Sequence, residues 1–293
     1  MLVLRNTGET GKDGGTAEAM IGEGQTDIDL ASFAESKEDS SLLPSRITFV
    51  IPVYNNLLAL RLNLEVFREY EKGTWEAVIV DDCSENDQNV NRAIVEFEEE
   101  TGHVFGDELR VIRIREDVPW NMPQGYNLGL LFARTRFVMM KDVDHIVSPE
   151  MMRKFAAEVA AGRVDDNEIV SPQRLVLEDA RLRSLSHEVA LKPAPNIFVA
   201  TKWTVMSRGG YDEDFAGCYG CDIEFRNRMR RSGVRFRHFE DLAVHVCYYN
   251  TGRYNRSVFV RDTNKAKELD SQKKESASFP SRALRVVWEI VKR

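Results

Sequence analysis

An α/β architecture, a mostly parallel sheet with helices on both faces, follows from two features of the sequence. Short apolar runs rich in β-branched residues alternate with segments of helical period through the first half of the chain. Each of those runs ends in a polar cluster and a turn, as strands do where they leave a buried sheet. From about residue 165 the alternation blurs, which predicts a smaller α+β region beyond the parallel half.

The elements are expected in this order. RITFVIPV, Arg46–Val53, is the first strand and runs into YNN. NLLALRLNLEVFREYEK carries apolar residues at helical spacing and stops at Gly73. WEAVIVDDCS is the second strand, NVNRAIVEFEEE a helix, ELRVIRIRE the third strand and PQGYNLGLLFARTR another helix. FVMMKDVDH is a fourth strand ending in acids, and SPEMMRKFAAEVAAG a helix with a Ser-Pro start that ends at Gly162. Beyond it, NEIVSPQRLVL and NIFVATKWTVMSRGGYDEDF look like strands and turns, and CDIEFRNRMRRSG a helix. VRFRHFEDLAVHVCYY suggests two short strands around an acidic turn. PSRALRVVWEIVKR is expected as a helix, with Leu284, Val287, Trp288 and Val291 on one face and mainly basic residues elsewhere. No internal repeat is present.

The 293 residues, 43% hydrophobic and 30% charged, suffice for one large domain with appendages. No run approaches bilayer-spanning length, and the opening MLVLRNTGETG is too short for a signal-peptide core. A cytoplasmic location, or one at the inner membrane surface, is expected. Residues 1–45 hold nine acids and three bases, a net of −6 out of the chain's −7, and six of its eighteen glycines. They are expected to form a flexible acidic tail. The domain then runs over 46–260, in halves 46–164 and 165–260, with a C-terminal extension over 261–293. Its body is close to neutral and supplies no overall field for capturing nucleic acid. Four cysteines do not make a disulfide scaffold.

Ligands on parallel sheets gather at the carboxyl ends of strands. The ends here are PVYNN, VDDCS and KDVDH. No glycine-rich G-x-G-x-x-G or Walker lysine motif follows the first strand, which argues against a dehydrogenase or P-loop enzyme. In KDVDH, Asp142 and Asp144 can turn two hard oxygens to one side and hold Mg²⁺ or Mn²⁺ carrying a diphosphate, or they can simply end a capped turn. In VDDCS a carboxylate can accept from a ribose hydroxyl or a base N–H, or Asp82 or Ser84 can cap the next helix. Cys218 and Cys221 with His245 and Cys247 are an acceptable zinc set, or Cys218 and Cys221 are small packing residues beside a site. A redox role would need a thioredoxin-like setting that this order of elements does not offer. Six arginines within 226–237 form either a solvated face paired with acids such as EFEEE or a patch for phosphate, anionic lipid or nucleic acid. The C-terminal helix can pack on the domain or a partner chain, or lie on a membrane. Trp120 either borders a sugar pocket or packs.

VIPVYNN, VIVDDCS, PQGYNLGLLFA and KDVDH resemble, in order and spacing, the GT-A-fold glycosyltransferases of inverting family 2. GGYDEDFAGCYGCDIEF is similar to a segment found there and in the galactosyltransferase C-terminal module. The likeness covers roughly residues 46–255. It implies a Rossmann-like GT-A fold with a nucleotide-sugar half and an acceptor-side half. It implies that Pro52, Tyr54, Asp82 and Asn127 serve the nucleotide, with Asp82 facing the base. Asp142 would sit near ribose and metal, Asp144 would bind the metal, and His245 would be its third protein ligand. Asp222 matches the general base. The implied reaction is an inverting transfer from a nucleoside-diphosphate sugar, UDP by expectation, with Mn²⁺ or Mg²⁺. The acceptor, whether glycan, lipid-linked, protein or modified nucleic acid, is left open. A non-catalytic sugar-nucleotide or glycan-binding module is the alternative from another class. One departure stands out: many relatives have Glu-Asp where this chain has Cys221-Asp222, and Glu224 is the next carboxylate along.

Overall fold

The apolar runs of the first half become the centre of a single sheet. The computed structural model describes residues 23–25, 43–177, 188–191, 196–247, 263–274 and 287–292. In chain order these give β1 (Glu23–Gln25), β2 (Leu43–Val53), α1 (Leu57–Phe67), β3 (Trp75–Asp82), α2 (Val90–Thr101), β4 (Leu109–Ile114) and α3 (Met122–Phe132). There follow β5 (Thr135–Met140), β6 (His145–Ile146), α4 (Pro149–Ala160), β7 (Glu168–Leu177), β8 (Glu188–Leu191), β9 (Phe198–Thr201) and α5 (Lys202–Met206). The chain closes with α6 (Cys221–Arg231), β10 (Arg235–Val246), α7 (Thr263–Lys274) and β11 (Val287–Lys292).

The strand order is β1-β11-β4-β3-β2-β5-β9-β7-β10-β6, with β8 paired to β7. β4, β3, β2 and β5 are parallel neighbours, as are β7 and β10. β9 joins the two groups antiparallel to both. Alternate residues of each strand face opposite sides. Phe49, Ile51 and Ile79 therefore pack against Leu60 of α1, Ile94 and Phe97 of α2 and Phe155 of α4. Val50 and Val138 face the other way, toward Tyr126 and Leu130 of α3 and Phe225 of α6. A sheet covered on both faces can be apolar throughout, and every residue of β3 is buried.

One buried charge is deliberate in its surroundings. Glu76 in β3 accepts from Thr48 at 2.6 Å and pairs with Arg110 at 2.9 Å and Arg134 at 3.0 Å. Burial alone would push its carboxyl up, but Arg110, Thr48 and Arg134 together hold it below the ordinary value.

α3 lies close on the sheet because Gly129 has no side chain. A Cβ at that position would stand 2.3 Å from Cγ1 of Val50, well inside contact distance. Gly129→Ala should therefore destabilise the fold by about 1–3 kcal/mol, the usual range for overpacking. Chemical denaturation would measure this, and an unchanged midpoint would show that α3 can lift off without penalty.

Three regions differ from expectation. The C-terminal segment is not a helix over Val287–Lys292 but a strand lying between β1 and β4, antiparallel to both. Val, Trp, Ile and Val suit a strand, and the open edge of β4 supplies the partner. Trp288 is 2% exposed and meets Phe132 edge-on at 4.9 Å. The basis for a membrane-lying helix is thus absent there; residues 281–286 lie outside the described residues. No helix among the described residues is long and apolar enough to cross a membrane. Within the expected tail, Glu23–Gln25 pair with β11, and β2 begins at Leu43; the remainder of the tail lies outside the described residues. Finally, the two short strands expected over VRFRHFEDLAVHV are one strand, β10, whose register slips between Phe239 and Ala243.

Candidate active site

β3 and β4 fill one side of β2, and β5 the other, so the chain reverses between β4 and β5. A crevice opens at such a reversal, at the carboxyl ends of the strands. The loops there are strained. Among the described residues, positive φ outside glycine occurs at Asn55 (48°), Cys83 (58°) and Trp120 (56°), in the loops after β2, β3 and β4. Asn tolerates this region; for a tryptophan it is an uncommon conformation that its surroundings must enforce.

The first two loops are zipped together. The Asn55 amide donates to Ser84 Oγ at 3.0 Å, and its side chain accepts from the Glu85 amide at 2.8 Å. Asp81 is spent on structure, accepting from the Ser84 amide at 2.9 Å and pairing with Arg113 at 2.6 Å. Asp82, its neighbour, accepts from the Asn121 side-chain amide at 3.0 Å. Burial pushes the Asp82 carboxyl up to about 7, against the Asn121 donation and with the charges of Asp81 and Asp117. Tyr54 is half-buried beside the same acids, its hydroxyl raised by burial and then by Asp117, Glu85 and Asp82. Pro52 is buried under α3, where a Cβ on Gly125 would come within 3.1 Å of it.

Asn127 does something different from the role the resemblance implied. Its Nδ2 donates to the Tyr211 carbonyl at 2.8 Å and to Glu213 at 2.9 Å, and its Oδ1 accepts from the Tyr211 amide at 2.7 Å. It is a clamp between α3 and the GGYDED turn, with its amide fully used.

Asp142 and Asp144 follow β5 with 25% and 31% of their side-chain surface open. Asp142 accepts from the Tyr126 hydroxyl at 2.6 Å and from the Asn196 side-chain amide. Burial raises the Asp142 carboxyl, and Asp144 adds to this. Asp144 is held lower: burial works against it, but His145 and Lys141 favour its charge. Lys141 is fully buried beneath them, its ammonium pulled down to about 7 by burial while Asp144 and Asp142 hold the proton on.

Asp142, Asp144 and His145 bring ligand atoms within 4.8 Å of one another, the one such group among the described residues. Asp144 Oδ1 and both ring nitrogens of His145 are buried without a hydrogen-bond partner. Nδ1 lies 3.0 Å from Asp144 Oδ1, yet out of line for a hydrogen bond. Orphaned carboxylate and imidazole atoms of this kind fit a divalent cation, since buried polar groups are otherwise satisfied. His245 stands outside the group. It is paired with Ile146 on β6, whereas His145 is paired with Val246, so the two histidines fall on opposite faces.

Asp222 comes to the same crevice from the second half. A column of stacked rings carries it there: Tyr126 on Tyr211 at 4.7 Å, Tyr211 on Phe225 at 4.4 Å and Phe225 on Phe198 at 5.3 Å. Gly220, with φ at 120°, makes the turn into α6 that an L side chain would strain. Burial raises the Asp222 carboxyl to about 7, and the charge of Asp142 adds to it, while the Cys221 thiol pulls the other way. The Cys221 sulfur is 3.8 Å from Asp222 Oδ1. Its thiol is pushed well up, first by burial and then by Asp222, so it stays protonated as a weak donor and is no activated redox group. Glu224 is buried against Arg228 at 2.9 Å, whereas Asp222 lies close enough to Asp142 for that charge to act on it. Trp120 meets the exposed ring of Tyr219 at 5.4 Å, joining the loop after β4 to the one before α6.

The zinc set is not assembled. Cys218 and Cys221 sit in the apolar cluster on one face of the sheet, and Cys247 in the cluster on the other. The arginine run is largely structural: Arg228 pairs with Glu224, Arg237 with Glu168 and Arg235 with Asp165, while Arg226 and Arg230 lie over Phe236. None of these partners belongs to EFEEE. Tyr126, Asn196, Lys141 and His145 were missed as site residues. Lys141 and His145 flank the acids and carry that signal in sequence; Asn196 carries none.

The fold is shared with solved glycosyltransferases. The structure of S. aureus TarS 1–349 aligns with a TM-score of 0.53 and 18% identity over 69% of this chain and 60% of that one. GalNAc-T7, solved with UDP, GalNAc and Mn²⁺, aligns at 0.54 and 16% over 73% of this chain and 45% of its own. The mannosyltransferase PcManGT of Pyrobaculum calidifontis, solved with GDP-Man and Mn²⁺, aligns at 0.54 and 15% over 85% and 71%. The chain thus spans less than two thirds of the TarS and GalNAc-T7 structures. No curated protein sequence matches it. Residues 48–211, more than half of the chain, match the family Glycosyl transferase family 2, and the GYDEDFAGCYGCDIEF segment lies almost wholly beyond that match. With a GT-A sheet, acids at the strand ends and this match, the chain belongs to glycosyl transferase family 2.

Proposed function

We propose that this glycosyltransferase moves a sugar from a nucleoside-diphosphate sugar, UDP-linked by expectation, to an acceptor hydroxyl with inversion. The observation that carries this is the arrival of Asp222 beside Asp142 from the other half of the chain, with Asp142's charge helping to raise it. Asp82 and Tyr54 receive the nucleoside, with Asp82 accepting from a base N–H. Asp144, Asp142 and His145 would hold Mn²⁺ or Mg²⁺, with His145 in the place that the resemblance gives to His245. A cation there supplies positive charge to the leaving diphosphate.

Asp222 takes the proton of the acceptor hydroxyl. The oxygen attacks the anomeric carbon as its bond to the diphosphate oxygen breaks. A carboxyl raised to about 7 is well matched to that task near neutral pH. The N-terminus of α6 favours its ionised form against burial. The rings of Trp120 and Tyr219 offer an apolar face to a pyranose at the mouth.

The test is incubation with UDP-glucose, UDP-galactose, UDP-GlcNAc, UDP-GalNAc and GDP-mannose in the presence of Mn²⁺. Slow release of nucleoside diphosphate from one donor, lost with a chelator, is expected. Tight nucleotide binding with no turnover under any metal would make the protein a non-catalytic binding module instead.

A further inference from the structure

The acidic loop is strapped from below by a buried cation. Lys141, the first residue after β5, is fully buried. Its Nζ donates to Oδ1 of Asn63 at 2.6 Å, to the His145 carbonyl at 2.6 Å and to the Asp142 carbonyl at 3.4 Å. All three partners are acceptors, and only an ammonium has three protons to give. Asn63 lies on α1 and is itself buried. Its Nδ2 donates to the carbonyls of Val143 at 2.6 Å and Ala59 at 2.8 Å. Just past α1, the Tyr70 hydroxyl donates to the Val147 carbonyl at 2.5 Å. The carbonyls of Asp142, Val143, His145 and Val147 are therefore each held by a side chain from below.

A turn that merely ended a strand would not need this. Burying an ammonium is unfavourable unless it is compensated, and a neutral side chain of the same length would fill the space more cheaply. The compensation here comes from the loop that carries Asp142 and Asp144.

We propose that Lys141 and Asn63 position the acidic loop for a divalent cation. They fix its backbone so that Asp142, Asp144 and His145 present their ligand atoms together, and the ammonium offsets the repulsion between the two carboxylates. Neither residue meets substrate; both act through the loop. This rests on the metal role assigned above to the Asp142–Asp144–His145 group.

The test is Mn²⁺ binding by the full chain, read from the loss of the free-ion electron paramagnetic resonance signal. Wild type, Lys141→Met, Asn63→Ser and the double variant are compared with and without UDP. Each single variant should weaken Mn²⁺ binding by about 10–100-fold, the range for partners one layer behind metal ligands. The double variant should be no weaker than the worse single one, because both act on one loop. UDP binding without metal should be unchanged. Folded variants with lowered melting temperature but wild-type Mn²⁺ affinity would overturn the proposal and reduce the pair to core packing. If Lys141→Met does not fold, Asn63→Ser decides alone. Absence of Mn²⁺ binding in wild type would instead overturn the metal assignment on which the proposal rests.

Discussion

With Asp222 replaced by asparagine, sugar transfer should fall by about 10²–10⁴-fold, the usual contribution of a positioned general base. Metal-dependent UDP binding should be retained, because the substitution removes a charge that opposes Asp142 and breaks no described contact of the nucleotide loops. The measurement pairs steady-state UDP release with calorimetric UDP binding. Undiminished turnover would place the base elsewhere. Glu224 is a poor substitute, since it is buried against Arg228. The pH profile gives a second check. The base works ionised, so activity should rise with pH through about 7 and level off above, because burial first and Asp142 second raise Asp222 to about 7. Below that the rate should fall by about tenfold per pH unit. A cation beside Asp142 relieves the second cause, so raising Mn²⁺ should move this limb to lower pH.

Asp144→Ala should abolish metal-dependent donor binding. The loss should exceed the about 10–100-fold that follows removal of a partner one layer out, because Asp144 offers a buried oxygen without a hydrogen-bond partner among the described residues. Asp142→Ala should weaken the metal less. Both Asp142 oxygens already accept, from Tyr126 and from Asn196. Mn²⁺ titration of the two variants beside wild type measures this order. Equal losses would show that Asp142 gives up its protein partners to bind metal. An unaffected Asp144→Ala would remove the acidic loop from metal binding.

Much of this was readable before any contact was known. The strands around Phe49, Ile79 and Met139 announce themselves by apolar runs between turn signals, and α4 by its Ser148-Pro149 start. Asp82, Asp142 and Asp144 stand at strand ends, where parallel sheets place their ligands. The helix that Asp222 opens is plain in the sequence, but Asp222 itself is singled out only by what the resemblance implies. Asn127, inside α3, and Asp82, at the end of β3, are both given to the nucleotide by the resemblance. One is consumed by Tyr211 and Glu213, and the other keeps a carboxylate for the crevice.

Period and turn chemistry are local, so the order of elements and the acids at their ends are written along the chain. Whether a polar side chain is free or spent depends on partners far away in sequence, and those arrive by packing. Asn63 reaches Val143 across 80 residues, and the ring column from Tyr126 to Phe225 brings Asp222 within reach of Asp142. The last segment shows the same division. Val287–Lys292 has enough apolar residues for either a helix or a strand, and the unpaired edge of β4 settles it as a strand because backbone hydrogen bonds are available there. His145 replaces His245 beside the acids for a reason of equal simplicity. Neighbouring residues on a strand point to opposite faces, and only the register of β10 against β6 assigns the faces.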